Sequence, residues 1–367
     1  MIKSSNIRVS PLATICVIIF SIAIACTTEN SKNQESKPSN IILMIGDGMG
    51  VTQVYAGLTA NGGHLNLESC TYVGFQKTYS ASSYITDSGA SGTALATGRK
   101  TRNGAIAVDT NGQKLQTILE MAEEEGLSTG LVATSTITHA TPASFAAHNP
   151  NRGKYEEIAM DISGAGLEVI IGGGRNHFNK REDNIDLIEK LRAEGYLVTE
   201  RIEQVEAAFQ GPVAVFTDSL AMPPALKGRG DILPRAAELA IERLSRNTKG
   251  FFLMVEGSQI DWAGHDNNTE YLVSEMIDFD KAIGKALDFA RKNPETLVIV
   301  TADHETGAMA IENGDMETGK VSGFYASESH TGVMVPVFAY GPGAESFAGI
   351  YENTDIFEKM AGLLDLD

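Results

Sequence analysis

The sequence predicts an α/β fold: a doubly wound, mainly parallel sheet sandwiched between helices, in a single domain with small insertions. Three observations support this prediction. Short apolar runs alternate with helical patterns from residue 40 almost to the end of the chain. The apolar runs are nearly continuous, which is typical of parallel strands covered on both faces. The chain also contains 37 Gly and only 11 Pro, a composition that suits many tight strand-to-helix turns.

The predicted strands are seven short β-branched runs. They span residues 40–47, 128–135, 167–174, 212–218, 250–257, 296–304 and 336–342. Between them, residues 115–126 form a helical pattern that ends on a glycine. A second helical pattern covers residues 271–292, where apolar residues recur three and four positions apart.

The N-terminal residues have the pattern of an export signal. Residues 1–25 carry two basic residues followed by an apolar stretch too short for a confident membrane span, so we predict a signal peptide. Cys26 follows in a context that resembles a bacterial lipoprotein signal, and the polar residues 26–39 then read as a flexible tether. The catalytic domain is expected over residues 40–367. We therefore expect an exported protein: a periplasmic or outer-membrane lipoprotein anchored through Cys26, or a secreted protein if ordinary cleavage occurs.

Charge and cysteine content restrict the chemistry. The net charge is −18, which repels polyphosphate and makes nucleic acid a poor partner. If the substrate is itself an anion, bound cations are the usual means of overcoming this repulsion. Removal of the signal peptide and lipidation of Cys26 would leave Cys70 as the one free thiol, so any metal ion must be held by His and carboxylate groups.

Carboxylate and imidazole groups fall where the predicted strands end. Asp47, Glu256 and the pair Asp303-His304 each follow or close an apolar run. Because open α/β sheets bind ligands at the carboxyl ends of their strands, these side chains should converge. A single carboxylate after a strand is usually a helix cap, but three such strand ends in one chain favour a functional site. Asp261 and His265 are four residues apart, so one helical turn would place both on one face.

Six segments, in this order, resemble the bacterial alkaline phosphatases. They read IGDGMG, TDSGASGTALATG, THATPASFAAHNPNR, VEGSQIDWAGH, VTADHETG and SHTG. The resemblance extends from residue 40 to about residue 350. Each segment alone is a modest signal, whereas six in the family's order identify a member of that family. The resemblance implies an enzyme that hydrolyses phosphate monoesters to alcohol and inorganic phosphate.

The resemblance also implies two zinc ions and one magnesium ion. Their expected ligands lie at eight positions: Asp261, His265 and His330 for the first zinc, Asp47, Asp303 and His304 for the second, with Ser88 able to complete it, and Asp47, Thr141 and Glu256 for magnesium. The ligand chemistry agrees, since mixed N and O ligands suit zinc and an all-oxygen set suits magnesium.

The nucleophile is expected at Ser88, which follows Asp87 at the predicted start of a helix running towards Gly98. Free backbone N–H groups at a helix start favour an anionic group. The resemblance implies that Ser88 forms a phosphoserine and that the reaction proceeds by two in-line displacements. It also implies that Arg152 binds phosphate oxygens and that Asp87 orients this arginine. An arginine fork can bind two non-bridging oxygens at once, which argues for monoesters over diesters.

Two further positions place the chain in one subgroup of the family. The resemblance implies that His139 and Trp262 lie beside the phosphate, at positions where members of the family differ and one pattern is Asp and Lys; the chain resembles the His/Trp subgroup. His139 would let zinc compete with magnesium for the third site, so that ion's identity stays open. A homodimer is expected by resemblance alone. The alternatives are another enzyme of the superfamily, above all a phosphodiesterase, and a non-catalytic protein that binds phosphate or metal.

Overall fold

The structure, a computed structural model, describes residues 37–366. The predicted signal peptide and most of the predicted tether lie outside these residues and remain predictions. A ten-stranded sheet forms the centre, in the spatial order β14-β2-β13-β8-β1-β7-β3-β4-β6-β5. Its strands are β1 (Asn40–Gly46), β2 (Tyr72–Lys77), β3 (Ser128–Thr136), β4 (Val169–Gly173), β5 (Leu197–Thr199), β6 (Val213–Phe216), β7 (Phe251–Gly257), β8 (Thr296–Thr301), β13 (Val335–Tyr340) and β14 (Gly349–Glu352).

The sheet is mainly parallel, as predicted. Every pairing among the described strands of this sheet is parallel except those of β13, which runs antiparallel to both β8 and β2. All seven predicted strands are present, within three residues of the expected bounds. The sequence analysis missed β2, β5 and β14: β5 and β14 are the short edge strands of the sheet, and β2, next to β14, is partly exposed.

Helices cover both faces of the sheet. Eleven are described: α1 (Val51–Ala60), α2 (Ser88–Thr97), α3 (Ile118–Glu124), α4 (Ala140–Ala146), α5 (Tyr155–Gly164), α6 (Arg175–Asn179), α7 (Leu187–Ala193), α8 (Ile232–Leu244), α9 (Gln259–His265), α10 (Thr269–Lys292) and α11 (Thr354–Leu363). None of these described helices combines the length and apolar character required to cross a bilayer.

The two helical layers follow from the alternation of side chains along each strand. In β1, Ile41, Leu43 and Ile45 pack into one hydrophobic core with α2–α7 and α11. Ile42 and Met44 point to the opposite face and pack with α1, α8, α9 and α10. Because both faces are buried, the strand reads as a continuous apolar run in the sequence.

Strand register brings the polar strand ends together. Ile45 of β1 pairs with Glu256 of β7 on one side and with Thr301 of β8 on the other. Asp47 and Asp303 each lie two residues beyond these pairs, at the carboxyl edge of the sheet. Two smaller pairings lie near this edge: β9 (Glu305–Thr306) with β12 (His330–Thr331), and the hairpin of β10 (Met309–Asp315) and β11 (Lys320–Tyr325).

Candidate metal centre and phosphate site

Three groups of side chains offer metal-ligand atoms within 4.8 Å of one another at the carboxyl edge of the sheet. We name them the first cluster (Asp261, His265 and His330), the second cluster (Asp47, Asp303 and His304) and the third cluster (Asp47, His139 and Glu256). Asp47 belongs to the second and third clusters. The structure therefore brings together the residues that the sequence analysis assigned to the two zinc sites.

The first cluster is built from α9 and the short strand β12. His265 Nε2 lies 3.3 Å from Asp261 Oδ1, because residues four apart share one face of the helix. His330 Nε2 lies 3.2 Å from His265 Nε2. The Nδ1 atoms of His265 and His330 are hydrogen-bonded to the backbone oxygens of Glu328 and Thr86, at 2.7 and 2.9 Å. These bonds orient both rings and leave each Nε2 directed at the cluster.

The second cluster is completely buried. The chain bends after β8, so that Asp303 and His304 turn towards the same point although they are adjacent in sequence. His304 Nε2 lies 3.2 Å from Asp303 Oδ2 and 3.4 Å from Asp47 Oδ1. The His304 and His330 rings stack with centroids 3.6 Å apart, which places the first and second clusters side by side.

The third cluster contains His139, which the sequence analysis placed beside the phosphate and not among the predicted metal ligands. His139, the residue before α4, offers a ring nitrogen to the group formed with Asp47 and Glu256. Thr141, the predicted ligand, is the second residue of α4, and its Oγ1 is buried without a hydrogen-bond partner. Both side chains thus border this cluster. His139 also packs edge-on against Trp262, with ring centroids 6.1 Å apart.

The electrostatics of the clusters favour bound cations. Burial, followed by the charges of Asp303, Asp261 and Glu256, raises the pKa of Asp47 well above its ordinary value. Burial raises the pKa of Glu256 to about 7. Carboxylates held this close and this deeply are costly unless a positive charge compensates them.

Histidine protonation differs between the clusters. Burial lowers the pKa of His304 to about 4, so its ring is neutral and able to bind metal at neutral pH. The hydrogen bond that His265 donates to the Asp261 carboxylate raises the pKa of His265 to about 9. A metal ion at the first cluster must therefore displace a proton from His265, which makes metal uptake there dependent on pH.

Unpaired buried atoms provide a direct test of whether ions fit. Among the described residues, six atoms at the second and third clusters are buried without a hydrogen-bond partner: both carboxylate oxygens of Asp47, Asp303 Oδ2, Glu256 Oε1, Thr141 Oγ1 and His139 Nδ1. Native proteins rarely leave buried polar groups unpaired. The carboxylate oxygens and the imidazole nitrogens are the ligand types that zinc and magnesium take, so the residues fit the ions.

Ser88 lies at the start of α2, next to the second cluster. Asp87 caps the helix by accepting a hydrogen bond from Ala90 N at 3.0 Å, and Ser88 is 1% exposed. Ser88 Oγ lies 3.3 Å from His304 Nε2. The small residues of α2 let the helix start pack closely against the segment that contains Ala105: a Cβ on Gly89 would lie 2.9 Å from the backbone oxygen of Ala105.

Arg152 faces the same point from a separate loop. Its Nη1 donates to Asp87 Oδ2 at 2.9 Å, and its Nη2 lies 3.4 Å from His139 Nε2. Burial alone would raise the pKa of Asp87, but Arg152 and the backbone N–H groups of Ala90 and Gly104 lower it below its ordinary value. Asp87 is thus an anion that holds the helix start and the guanidinium together.

Sequence reasoning did not identify several side chains that hold the ligands. Thr306 Oγ1 donates to Asp261 Oδ1 and lies 3.2 Å from His304 Nδ1. Ser135 and Ser258 both donate to Glu256 Oε2. Thr306 lies inside the VTADHETG segment and Ser258 inside the VEGSQIDWAGH segment, but nothing in these segments indicated contact with the candidate ligands, and Ser135 lies outside all six segments.

A doubly wound sheet whose carboxyl edge joins a helix-capped serine, an arginine and three carboxylate–histidine clusters defines the class of metal-dependent α/β hydrolases. The family model described as alkaline phosphatase matches residues 38–323 and 311–366. The chain belongs to the alkaline phosphatase family, and as an enzyme it is a phosphoric monoester hydrolase.

Individual relatives are similar over nearly the whole chain. Alkaline phosphatase 4 of Bacillus subtilis is 36% identical over 97% of this chain and 96% of its own length. Alkaline phosphatase of Escherichia coli is 32% identical over 90% and 87%. The solved alkaline phosphatase of the Antarctic bacterium TAB5 is 41% identical, with a TM-score of 0.86 over 91% of this chain and 100% of its own.

Proposed function

We propose that this protein hydrolyses phosphate monoesters through a phosphoserine at Ser88, with two zinc ions at the first and second clusters and magnesium at the third. The observation that carries the proposal is Ser88 Oγ, 3.3 Å from His304 Nε2 at the capped start of α2. When bound, the ions would lower the pKa of a hydroxyl group or water and offset the charge of the phosphate.

The chain's own residues supply the geometry of both steps. Ser88 Oγ attacks phosphorus and loses its proton, the bond to the ester oxygen breaks, and the alcohol leaves with a proton from solvent. Water then attacks the phosphoserine, and Ser88 departs and regains its proton while inorganic phosphate is released. Arg152 binds two non-bridging oxygens throughout, and the free N–H groups at the start of α2 face the same anion.

Arg152 also favours monoesters over diesters. A diester has one of these oxygens esterified, so the guanidinium fork would lose a partner. The alternative function is a phosphodiesterase of the same superfamily. In that enzyme the Arg152 guanidinium would bind only part of the phosphate group.

Hydrolysis of p-nitrophenyl phosphate and of bis(p-nitrophenyl) phosphate, with zinc and magnesium supplied, tests this proposal. The wild type should prefer the monoester strongly, and Ser88→Ala should lower kcat by at least about 10³-fold. Arg152→Ala should reduce the monoester preference. Ser245→Ala, at the end of α8, is the matched control and should retain full activity. A diester preference, or an active Ser88→Ala variant, would refute the proposal.

The third ion can be identified through His139. We assign magnesium to the oxygen ligands Asp47, Thr141 and Glu256, with His139 as the group that would admit zinc instead. In the Antarctic bacterium's enzyme, a variant with His replaced by Asp has been solved with magnesium in a site called M3. His139→Asp should therefore lower the zinc-to-magnesium ratio, measured by metal analysis of the purified protein. An unchanged zinc-to-magnesium ratio would show that His139 does not influence which ion binds at the third cluster.

A homodimer is supported by an exposed apolar surface. Tyr79, Tyr84, Ile85, Val333 and Met334 are all at least 39% exposed, and most of them line a cavity of about 640 Å³. Solvent-exposed apolar patches of this kind favour a second copy of the chain. Sedimentation should show a dimer for the wild type and a monomer for Tyr84→Asp. A monomeric wild type would refute the proposal.

Export and lipidation at Cys26 rest on the sequence of residues 1–26 alone. We propose that the mature chain begins at Cys26 with an attached lipid. The intact mass of the protein purified from membranes tests this directly: a mature N terminus without added lipid would indicate ordinary cleavage and secretion.

A further inference from the structure

A stacked aromatic pair adjoins the arginine loop and has no part in the mechanism above. The rings of Tyr155 and His177 lie parallel, with centroids 4.9 Å apart and planes at 9°. Tyr155 begins α5 three residues after Arg152, and His177 lies in α6, the next helix along the chain after β4. Parallel stacking of this kind fixes two elements relative to each other.

His177 is tied to the residue that precedes His139. Its Nδ1 is hydrogen-bonded to Thr138 Oγ1 at 2.7 Å, and Thr138 is fully buried. The next residue, His139, contacts Arg152 Nη2 at 3.4 Å. Contacts therefore run from Arg152 through His139, Thr138 and His177 to Tyr155, and the backbone of residues 152–155 closes the ring.

The glycine turn at Gly174, between β4 and α6, allows α6 to approach closely enough for this bond. Gly174 has φ of +97°, and a Cβ there would lie 2.9 Å from Thr136 Cβ. Arg181 adds a second tie, since its Nη1 donates to the backbone oxygens of His177 and Glu156. The glycine turn thus packs α6 against the loop that carries His139.

The arginine loop has few other restraints on its outer side. Arg152 N donates to Gly104 O at 2.8 Å, but Gly153 and Lys154 are exposed. Beyond them, Gly153, Tyr155 and His177 line a cavity of about 530 Å³, so the loop is not closely packed on this side. The stack and the bonds from Arg181 are the side-chain contacts between the end of this loop and α6.

We propose that the Tyr155–His177 stack, fixed by Thr138, is a positioning element that sets the orientation of Arg152 towards the phosphate. The inference rests on the proposed function, because Arg152 must bind phosphate oxygens for its orientation to matter. Arg152 would bind the non-bridging oxygens of the substrate and of inorganic phosphate alike, so a misplaced guanidinium would weaken both complexes. The element should therefore affect phosphate binding more than the reactivity of Ser88.

The test is a double-mutant cycle between His177→Ala and Arg152→Ala, with p-nitrophenyl phosphate and inorganic phosphate as probes. We expect His177→Ala to raise KM and the inhibition constant of phosphate about 10-fold, with a smaller change in kcat. In the Arg152→Ala background the same change should have little further effect, since the arginine is absent. Equal effects in both backgrounds would overturn the proposal and assign His177 a purely structural role.

Conservative variants separate the two contacts. Tyr155→Phe keeps the stack and should bind phosphate as the wild type does, whereas Thr138→Val removes the hydrogen bond and should reproduce part of the His177→Ala effect. Phe289→Ala, which removes an aromatic ring from α10 far from the site, controls for general loss of packing and should leave KM unchanged. If Arg152→Ala itself left monoester hydrolysis intact, the proposed function would fail; if only His177→Ala had no effect, this inference alone would fail.

Discussion

At the scale of single residues, Thr306 connects two of the three clusters. Its hydroxyl donates to Asp261 in the first cluster and lies 3.2 Å from His304 Nδ1 in the second. Groups that hydrogen-bond metal ligands fix their orientation and strengthen metal binding. Thr306 itself is fully buried, so water cannot replace its hydroxyl.

We expect Thr306→Val to weaken zinc retention about 10- to 100-fold, because Asp261 loses its donor and turns more freely. The measurement is zinc loss to a competing chelator, followed by metal analysis. Thr306→Ser keeps the hydroxyl and should retain zinc nearly as well as the wild type. Equal retention by Thr306→Val would show that Asp261 is held by other contacts.

At the scale of elements, the junction of α3 with β3 contains a carboxyl group with a perturbed pKa. The pKa of Glu123 is raised to about 7, mainly by burial. The hydrogen bond that Thr129 Oγ1 donates to Glu123 lowers the pKa, and the charge of Glu168 raises it, but both effects are smaller than that of burial. The protonated form of Glu123 is thus favoured in the folded protein. This stabilisation is complete below the unfolded pKa and is lost as the pH rises through the folded pKa.

We therefore expect Glu123→Gln to gain stability relative to the wild type as the pH rises from about 5 to about 8, since Gln never acquires the charge. Urea unfolding of both metal-loaded proteins at several pH values measures this difference. Glu124→Gln, an exposed neighbour on the same helix, should show no such trend. A difference that stays constant with pH would mean that Glu123 titrates normally.

At the scale of the whole molecule, bound ions should stabilise the fold as well as the chemistry. Four carboxylates of the three clusters, Asp47, Glu256, Asp261 and Asp303, are buried on elements from both halves of the chain. An ion that binds only the folded state stabilises it by about 4 kcal/mol when its free concentration is 1,000 times its Kd.

Removal of the ions with a chelator should accordingly lower the melting temperature, and addition of zinc and magnesium should restore it. Differential scanning calorimetry measures the change. In Asp47→Asn, which disables the second and third clusters together, the difference between chelated and loaded protein should be smaller. An identical melting temperature before and after chelation would indicate that the ions do not stabilise the fold.

Sequence alone determined the fold class and most of the candidate site. The buried strands were predictable because continuous apolar runs leave few alternatives, and the polar strand ends because they follow or close those runs; the other candidate ligands were predicted from the family resemblance. Asp47, Glu256 and Asp303 illustrate this point: strand register necessarily brings them to one edge of the sheet. The edge strands β5 and β14 and the neighbouring strand β2 were not predictable, since short or partly exposed strands carry a weak apolar pattern.

Only the tertiary structure decided which side chains hold the ligands and the arginine in place. His139 joins Asp47 and Glu256 because α4 begins beside β7, and Thr306 reaches Asp261 through the turn after β8. The stack of Tyr155 on His177 unites residues from α5 and α6 with no shared sequence pattern. Such contacts depend on how elements pack in space. The hydrophobic periodicity of one segment does not indicate which other segments it will contact.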